Sequence, residues 1–338
     1  MTSATLGLTM PIGATHELTA TCRSNLLVAL EGAPFSDVLV PFFERGKMLR
    51  SALVFTTTAA VGGDPLTAMP AAEAVELLHG ASLIHDDIAD EADARRGVEA
   101  VHRQVPRGTA VVLGDFLIFH ALSRLVRGSA LGGDACVRAM ELLTLHAEQC
   151  CRGQIDELHD VGTASGEEPY LCMVARKTGS LFVVACQLGP VLAGAAEAHV
   201  TALGRYGRAL GIAFQIRDDL LDLVGDSLVL GKPVGNSLQN HRALLPVVYL
   251  WQHGSCTAKA RFRELTNSEA APLEVARLLD REGLIARARH AQRSHAIDAA
   301  EALASLPASE SRATLAALAH SLRTGPQLDF SVAGPLST

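Results

Sequence analysis

The sequence predicts an all-α protein, a single large helical bundle with a central cavity. Three observations carry that expectation. Hydrophobic residues make up 49% of 338, with Ala and Leu throughout but only three Tyr and one Trp, a composition that favours helices over sheet. Apolar residues recur at helical spacing over 71–90, 135–149 and 201–224, while strand-like alternation is scarce. Length alone suggests about two domains, yet no Pro/Ser/Gly tract or charge run separates two units between 20 and 325. One domain over 16–324 is therefore expected, between disordered ends at 1–15 and 325–338 that are rich in Gly, Pro, Ser and Thr.

Taken in order, the chain opens its chemistry with Arg45-Gly46-Lys47-Met48-Leu49-Arg50, followed by a loop over 61–69. The helix over 71–90 carries His79 and ends in Asp86-Asp87-Ile88-Ala89-Asp90. Its acids at i and i+4 share one face. A helix gains nothing from such like charges alone. Apolar neighbours (Leu77, Leu78, Leu83, Ile84) mean that the acids need a compensating cation. Arg95-Arg96-Gly97 follows, and guanidinium forks suit phosphate oxygens. After a loop over 162–169 comes Arg176-Lys177-Thr178-Gly179-Ser180. The apolar stretch 181–196, interrupted by Gln187 and Pro190, reads as a buried helix rather than a membrane span.

A second acid cluster, Asp218-Asp219-Leu220-Leu221-Asp222, ends the helix over 201–224. The loop over 224–242 then holds Gly231-Lys232-Pro233-Val234-Gly235, where backbone can approach a ligand closely. Residues 256–323 are Ala/Arg-rich and read as a helical packing layer. A single DDxxD also occurs on solvated helix faces. Two copies with basic company point to facing helices that hold Mg²⁺ and, through it, a diphosphate. Lysine usage adds an independent argument. Lysine occurs only at 47, 177, 232 and 259, and the other 25 of the 29 basic residues are arginine. Three of the four lysines fall in these motifs, and a lysine point charge is not interchangeable with arginine at a phosphate.

These pieces together resemble the trans-isoprenyl diphosphate synthases of the polyprenyl synthetase family, closest in pattern to its medium- and long-chain members. The matching runs are Gly46-Lys47-x-x-Arg50, His79, 82–97 with its DDxxD and Arg-Arg-Gly, Gly114-Asp115, Lys177-Thr178, Phe214-Gln215-Ile216-x-Asp218-Asp219-x-x-Asp222 and Gly231-Lys232-Pro233-x-Gly235. They stand in the family's order across residues 45–246. The resemblance implies the isoprenoid synthase bundle and head-to-tail, trans condensation of isopentenyl diphosphate with an allylic diphosphate. It implies three Mg²⁺ ions, for which Mn²⁺ substitutes, held by Asp86, Asp90 and Asp218 with Asp87, Asp219 and Asp222 nearby. It places Arg95, Lys177 and Lys232 on the allylic diphosphate. It places Lys47, Arg50, His79 and Arg96 on isopentenyl diphosphate, and Thr178 and Gln215 at the reacting centre. Ala81 and Ser82, one turn before Asp86, are small where short-chain members carry an aromatic, which implies a product of C30 or longer. Phe116, Phe119, Leu143 and His146 are floor candidates for the product channel. A homodimer is the family expectation.

The chain departs from the family pattern at Met48, Gly179, Ser237 and His241-Arg242, where Arg242 takes the place of a cation. The alternatives are a short-chain (C15 or C20) synthase, a class I terpene cyclase and a non-catalytic subunit. The isopentenyl-diphosphate cations argue against the cyclase, and two intact acid clusters argue against the inert subunit. A net charge of −7 argues against nucleic-acid binding. The N-terminus lacks a signal-peptide pattern, and seven Cys without CxxC spacing suggest reduced thiols. A cytoplasmic enzyme is expected, with transient membrane contact during product release.

Overall fold

The computed structural model describes residues 15–128, 133–159, 166–224, 243–266 and 271–323. These are almost wholly helical, as the composition predicts. The N-terminal helices are α1 (His16–Glu31), α2 (Ser36–Glu44), α3 (Leu49–Ala60) and α4 (Met69–Ala89). Within the expected 61–69 loop, Pro65–Ala68 forms a 3₁₀ turn. The Asp64 side chain caps it by accepting from the Leu66 N–H at 3.0 Å, which satisfies a donor that a helix start otherwise leaves unpaired.

The α4 helix stops where Glu91 turns left-handed (φ 53°), a common helix exit. A two-residue hairpin follows, with β1 (Ala94–Arg95) antiparallel to β2 (Val98–Glu99) and Arg95 opposite Val98. Its turn residues Arg96 and Gly97 both have positive φ, 55° and 74°. That is the type I′ geometry that matches strand twist. The short α5 (Val101–Gln104) leads to α6 (Arg107–Gly128) and α7 (Asp134–His159).

Next, α8 (Glu167–Val174) passes through a π-helical turn (Ala175–Gly179) into α9 (Ser180–Leu192). The predicted 162–169 loop is thus shorter than expected at its end, since Glu167, Glu168 and Pro169 are the first turn of α8. Proline is tolerated there because first-turn N–H groups have no helical partner. The α9 helix is buried on nearly every side, as 181–196 predicts, and Pro190 falls in its last turn. Then comes α10 (Glu197–Val224). After 225–242, which lie outside the described residues, follow α11 (Leu245–His253), α12 (Cys256–Thr266), α13 (Ala271–Arg281), α14 (Leu284–Ala302) and α15 (Glu310–Arg323).

Two hydrophobic clusters form the interior. The larger joins α1–α4, α6, α7, α9 and the first half of α10. The smaller gathers α8, the second half of α10 and α11–α14. The α10 helix runs through both, so its acid-bearing end is fixed by packing on two sides. The C-terminal helices form the expected packing layer: α14 lies along α10, and Tyr206 donates to the Leu315 carbonyl at 2.9 Å. Helices come unusually close at three glycines. A Cβ at Gly153 would meet the Lys177 backbone N at 2.2 Å, one at Gly189 the Thr58 Oγ1 at 1.9 Å, and one at Gly211 the Gly179 Cα at 2.7 Å. Interiors this dense have no room for the missing methyl groups.

Among the described residues, two helices have the length and hydropathy of a membrane span, α6 and the continuous Glu167–Leu192. The second is a core helix. The first packs along α4 and leaves an apolar outer face, with Val112, Phe119 and Val126 at 63%, 69% and 51% exposure. All seven cysteines are free.

Candidate active site

The first acid cluster closes α4. Asp86 and Asp90 are half-buried, whereas Asp87 has no exposed surface. Asp87 Oδ1 pairs with Arg95 of the hairpin, whose Nε donates at 2.8 Å. Burial pushes the Asp87 carboxyl pKa up, and the Arg95 bond and charge work against that rise. Arg95 thus uses its Nε and Nη2 on Asp87 while its side chain stays partly exposed.

Lys177 lies in the π turn, level with Asp86. Its Nζ is 3.3 Å from Asp86 Oδ1 and donates to Glu157 Oε2 of α7 at 2.5 Å. Burial would lower its pKa, but Asp86 and Glu157 outweigh it and the lysine stays cationic. Gly153, one turn before Glu157, is what lets α7 approach the π turn so closely. Glu157 gives no signal of its own in the sequence; its spacing from Gly153 along α7 is the only hint.

Beside Lys177, the Thr178 hydroxyl donates to Gln215 Oε1 at 2.8 Å, and Gln215 Nε2 donates to Asp219 Oδ1 at 3.0 Å. Asp219 Oδ2 accepts from Tyr170 OH at 2.5 Å and from the Leu245 N–H at 3.0 Å. Burial pushes the Asp219 pKa up to about 7, against the pull of these donors. Asp218 is half-buried, Asp222 is buried, and both have interactions. Lys177, Thr178, Gln215, Asp219, Glu157 and Tyr170 line one small pocket. The α9 helix packs against both α4 and α10, so the Lys177–Thr178 turn spans the gap between the acid clusters.

A separate cationic cluster sits on the inner side of α3 and α4. The Arg50 guanidinium lies 4.9 Å from the Phe182 ring centre, and burial lowers its pKa to about 10. His79 is held well below an ordinary histidine value, first by burial and then by Arg50, Arg96 and Arg95, so it is neutral. Arg50 Nε and His79 Nδ1 are buried without a hydrogen-bond partner among the described residues. Arg96 donates to the Phe42 carbonyl at 3.4 Å. A Cβ at Gly46 would meet its Nη1 at 3.0 Å. Arg23, which the sequence reading missed, donates to the Gly46 carbonyl at 2.7 Å and holds this loop. Lys47 is exposed at its mouth. Met48 (φ 53°), Glu91 and Arg96 are non-glycine residues with positive φ. All three adjoin predicted ligand residues, and such strain persists where surrounding structure over-determines it.

Among the described residues no three His, Cys, Asp or Glu side chains converge on one metal position. The donor set nevertheless fits Mg²⁺, a hard cation usually held by one or two carboxylates together with substrate phosphates. Asp86 and Asp90 offer such a pair. Asp219 does not join them, because all of its contacts are to protein donors.

The other predicted positions divide. Ala81 is buried and Ser82 half-buried, its hydroxyl bonded back to the His79 carbonyl at 2.8 Å. Leu143 is buried, and Phe116 and His146 are half-buried. Phe119 is a correction: at 69% exposure it points away from the interior, on the outer face of α6. Gly114-Asp115 serves packing, since a Cβ at Gly114 would meet His85 Nε2 at 2.2 Å. The Met48 side chain is buried and supplies no cation. Alanine would fit at Gly179, whose Cβ would meet nothing closer than 3.7 Å. Lys232, Ser237, His241 and Arg242 lie outside the described residues.

Fold and site together define an all-helical synthase with an acid-rich pole and a cationic pole. The model of the polyprenyl synthetase family matches residues 35–280, and the chain belongs to that family; it is a prenyltransferase. It is 35% identical over 280 residues to the short chain isoprenyl diphosphate synthase of Methanothermobacter thermautotrophicus, an alignment covering 81% of this chain and 85% of that one. It is 30% identical over 282 residues to the octaprenyl diphosphate synthase of Haemophilus influenzae, covering 81% and 83%. The crystal structure of a polyprenyl synthase from Caulobacter crescentus CB15, complexed with calcium and isoprenyl diphosphate, superposes with a TM-score of 0.81 at 28% identity, over 92% of this chain and 96% of that one.

Proposed function

We propose that this chain condenses isopentenyl diphosphate with an allylic diphosphate, head to tail and trans, with Mg²⁺ as cofactor. The observation that supports this best is the existence of two poles. One holds carboxylates with Lys177, and the other holds Arg50, His79 and Arg96 with unpaired buried nitrogens. A reaction that consumes one diphosphate needs only the first; two diphosphate substrates need both. This weighs against the cyclase reading.

Asp86, Asp90 and Asp218 are the metal-facing acids, with Asp222 beside them. When bound, the three expected Mg²⁺ ions stabilise charge on the departing diphosphate. Lys177 adds positive charge from the protein side, aided by Lys232 and Arg242 from the 225–242 segment. The allylic C–O bond breaks and diphosphate leaves with the electron pair. The oxygen dipoles of Thr178 and Gln215 face the allylic cation that remains. Lys47, Arg50, His79 and Arg96 hold the second diphosphate so that the isopentenyl double bond attacks that cation. A new C–C bond forms, and the proton lost from the isopentenyl unit passes to the released diphosphate.

Ala81 and Ser82 leave the face below Asp86 free of an aromatic, which supports a product of C30 or longer. A second reading, a C20 or shorter product, is favoured by the 35% identity to a short-chain enzyme. The apolar outer face of Val112, Phe119 and Val126 suits a homodimer interface. A cytoplasmic enzyme that releases its product at a membrane surface fits the same reading.

The test is incubation with Mg²⁺, radiolabelled isopentenyl diphosphate and each of the C5, C10, C15 and C20 allylic diphosphates. A ladder ending at one alcohol after dephosphorylation is expected, and its end gives the length. Consumption of the allylic diphosphate to a hydrocarbon without label overturns the reading.

A further inference from the structure

Tyr170 and Asp219 line the same small pocket as Lys177, and they end a continuous chain of hydrogen bonds that begins at the reacting centre. That chain runs Thr178–Gln215–Asp219–Tyr170, with steps of 2.8, 3.0 and 2.5 Å. A glutamine amide has one end that donates and one that accepts, and its orientation is read from its partners. Here Asp219 Oδ2 is occupied by two donors, Tyr170 OH and Leu245 N–H. That leaves Oδ1 of the ionised carboxylate as the acceptor toward Gln215, whose NH₂ donates to it at 3.0 Å. The Gln215 carbonyl oxygen then faces the Thr178 hydroxyl and the pocket that both share with Lys177.

We infer that Tyr170 and Asp219 are positioning residues that fix the polarity of the Gln215 amide, so that oxygen rather than NH₂ faces the reacting carbons. The inference rests on the prenyl-transfer reading above. An amide turned the other way would put partial positive charge against a developing cation. The geometry also separates the two adjacent acids of α10: Asp218 serves the metal side and Asp219 serves the dipole. Tyr170 stands seven residues before Lys177 on the same continuous helix. The orienting hydroxyl and the cation are therefore carried by one element.

The test is single-turnover label incorporation by Tyr170→Phe, Gln215→Leu and the double variant. It is paired with binding of a non-ionising allylic thiolodiphosphate in the presence of Mg²⁺. Tyr170→Phe is expected to slow the single-turnover step by about tenfold, the scale of one hydrogen bond to a charged group, while binding of the analogue changes less than twofold. Because Tyr170 acts through Gln215, the double variant should be no slower than Gln215→Leu alone. If Tyr170→Phe does not fold, Asp219→Asn should show the same slowing with an unchanged Mg²⁺ concentration dependence. Wild-type protein that incorporates no label overturns the prenyl-transfer reading itself. With active wild type, the positioning role alone is overturned by a full single-turnover rate in Tyr170→Phe, additive losses in the double variant, or a weakened Mg²⁺ dependence in Asp219→Asn.

Discussion

The two acid clusters share one spacing but are built differently. On α4 the middle acid, Asp87, is buried against a cation, Arg95. On α10 the corresponding acid, Asp219, is buried against neutral donors, Tyr170, Gln215 and the Leu245 N–H. One arrangement compensates charge with charge and ties α4 to the hairpin that carries Arg96. The other leaves the charge to dipoles, whose pull burial outweighs, so that its pKa is pushed up to about 7, and ties α10 to the π turn and to α11. In the proposed function the repeated motif does one job twice at its outer acids, and the packing gives its inner ones two different settings.

The largest test asks whether the outer acids are equivalent. Asp86→Ala and Asp218→Ala should each reduce turnover by about 10³-fold or more while circular dichroism shows an intact fold. Normal activity in either breaks the symmetry of the comparison and the metal assignment with it. The product channel offers a second contrast. One turn before Asp86 stand Ala81 and Ser82, whereas one turn before Asp218 stand Ala213 and Phe214. The Phe214 ring packs 5.4 Å from that of Phe182. Ala81→Phe should place a second aromatic opposite and shorten the product by at least one C5 unit on chromatography. An unchanged length would put the channel elsewhere.

The inner acids should differ in stability as well. Arg95→Gln strands a fully buried carboxylate and should cost about 3 kcal/mol, read by denaturant melts. Tyr170→Phe removes one of several neutral donors and should cost only about 1 kcal/mol. Equal losses would erase the distinction between charge and dipole compensation. A pH-dependent effect belongs to His79. Its folded pKa is depressed, so its contribution is present above the unfolded value of 6.5 and is lost as pH falls through that value. Wild-type protein should lose up to about 1.4 kcal/mol per pH unit below pH 6.5 relative to His79→Gln. Parallel melting curves would mean that His79 titrates in the fold as it does in the unfolded chain.

Much of this site was legible in the sequence because its signals are chemical exceptions. Carboxylates at i and i+4 in an apolar helix need explaining, and so do lysines in a chain that otherwise uses arginine. Those signals single out Asp86, Asp90, Asp218 and Lys177 as candidates, and helical periodicity found α4, α7 and α10. Arg23, Glu157 and Tyr170 were invisible because each is an ordinary residue in an ordinary helix, and only tertiary packing gives it a partner. The Arg96-Gly97 turn was read as a basic motif because its local signal, a glycine after two arginines, is weaker than Asn-Gly. Phe119 was placed inside because an aromatic in an apolar helix does not say which way it faces.

The π turn at Ala175–Gly179 has a genetic consequence. A π turn holds one residue more than the α-helix it interrupts. Loss of a single codon within it would therefore leave a regular helix with every apolar residue still present. Because the bulge absorbs the extra residue, the segments on either side would keep nearly the same rotation relative to each other, and the change would fall on the residues of the turn itself, Lys177 and Thr178 among them. A one-residue deletion there should therefore act locally, on the side chains presented by the turn, in a chain whose flanking helices still pack as before.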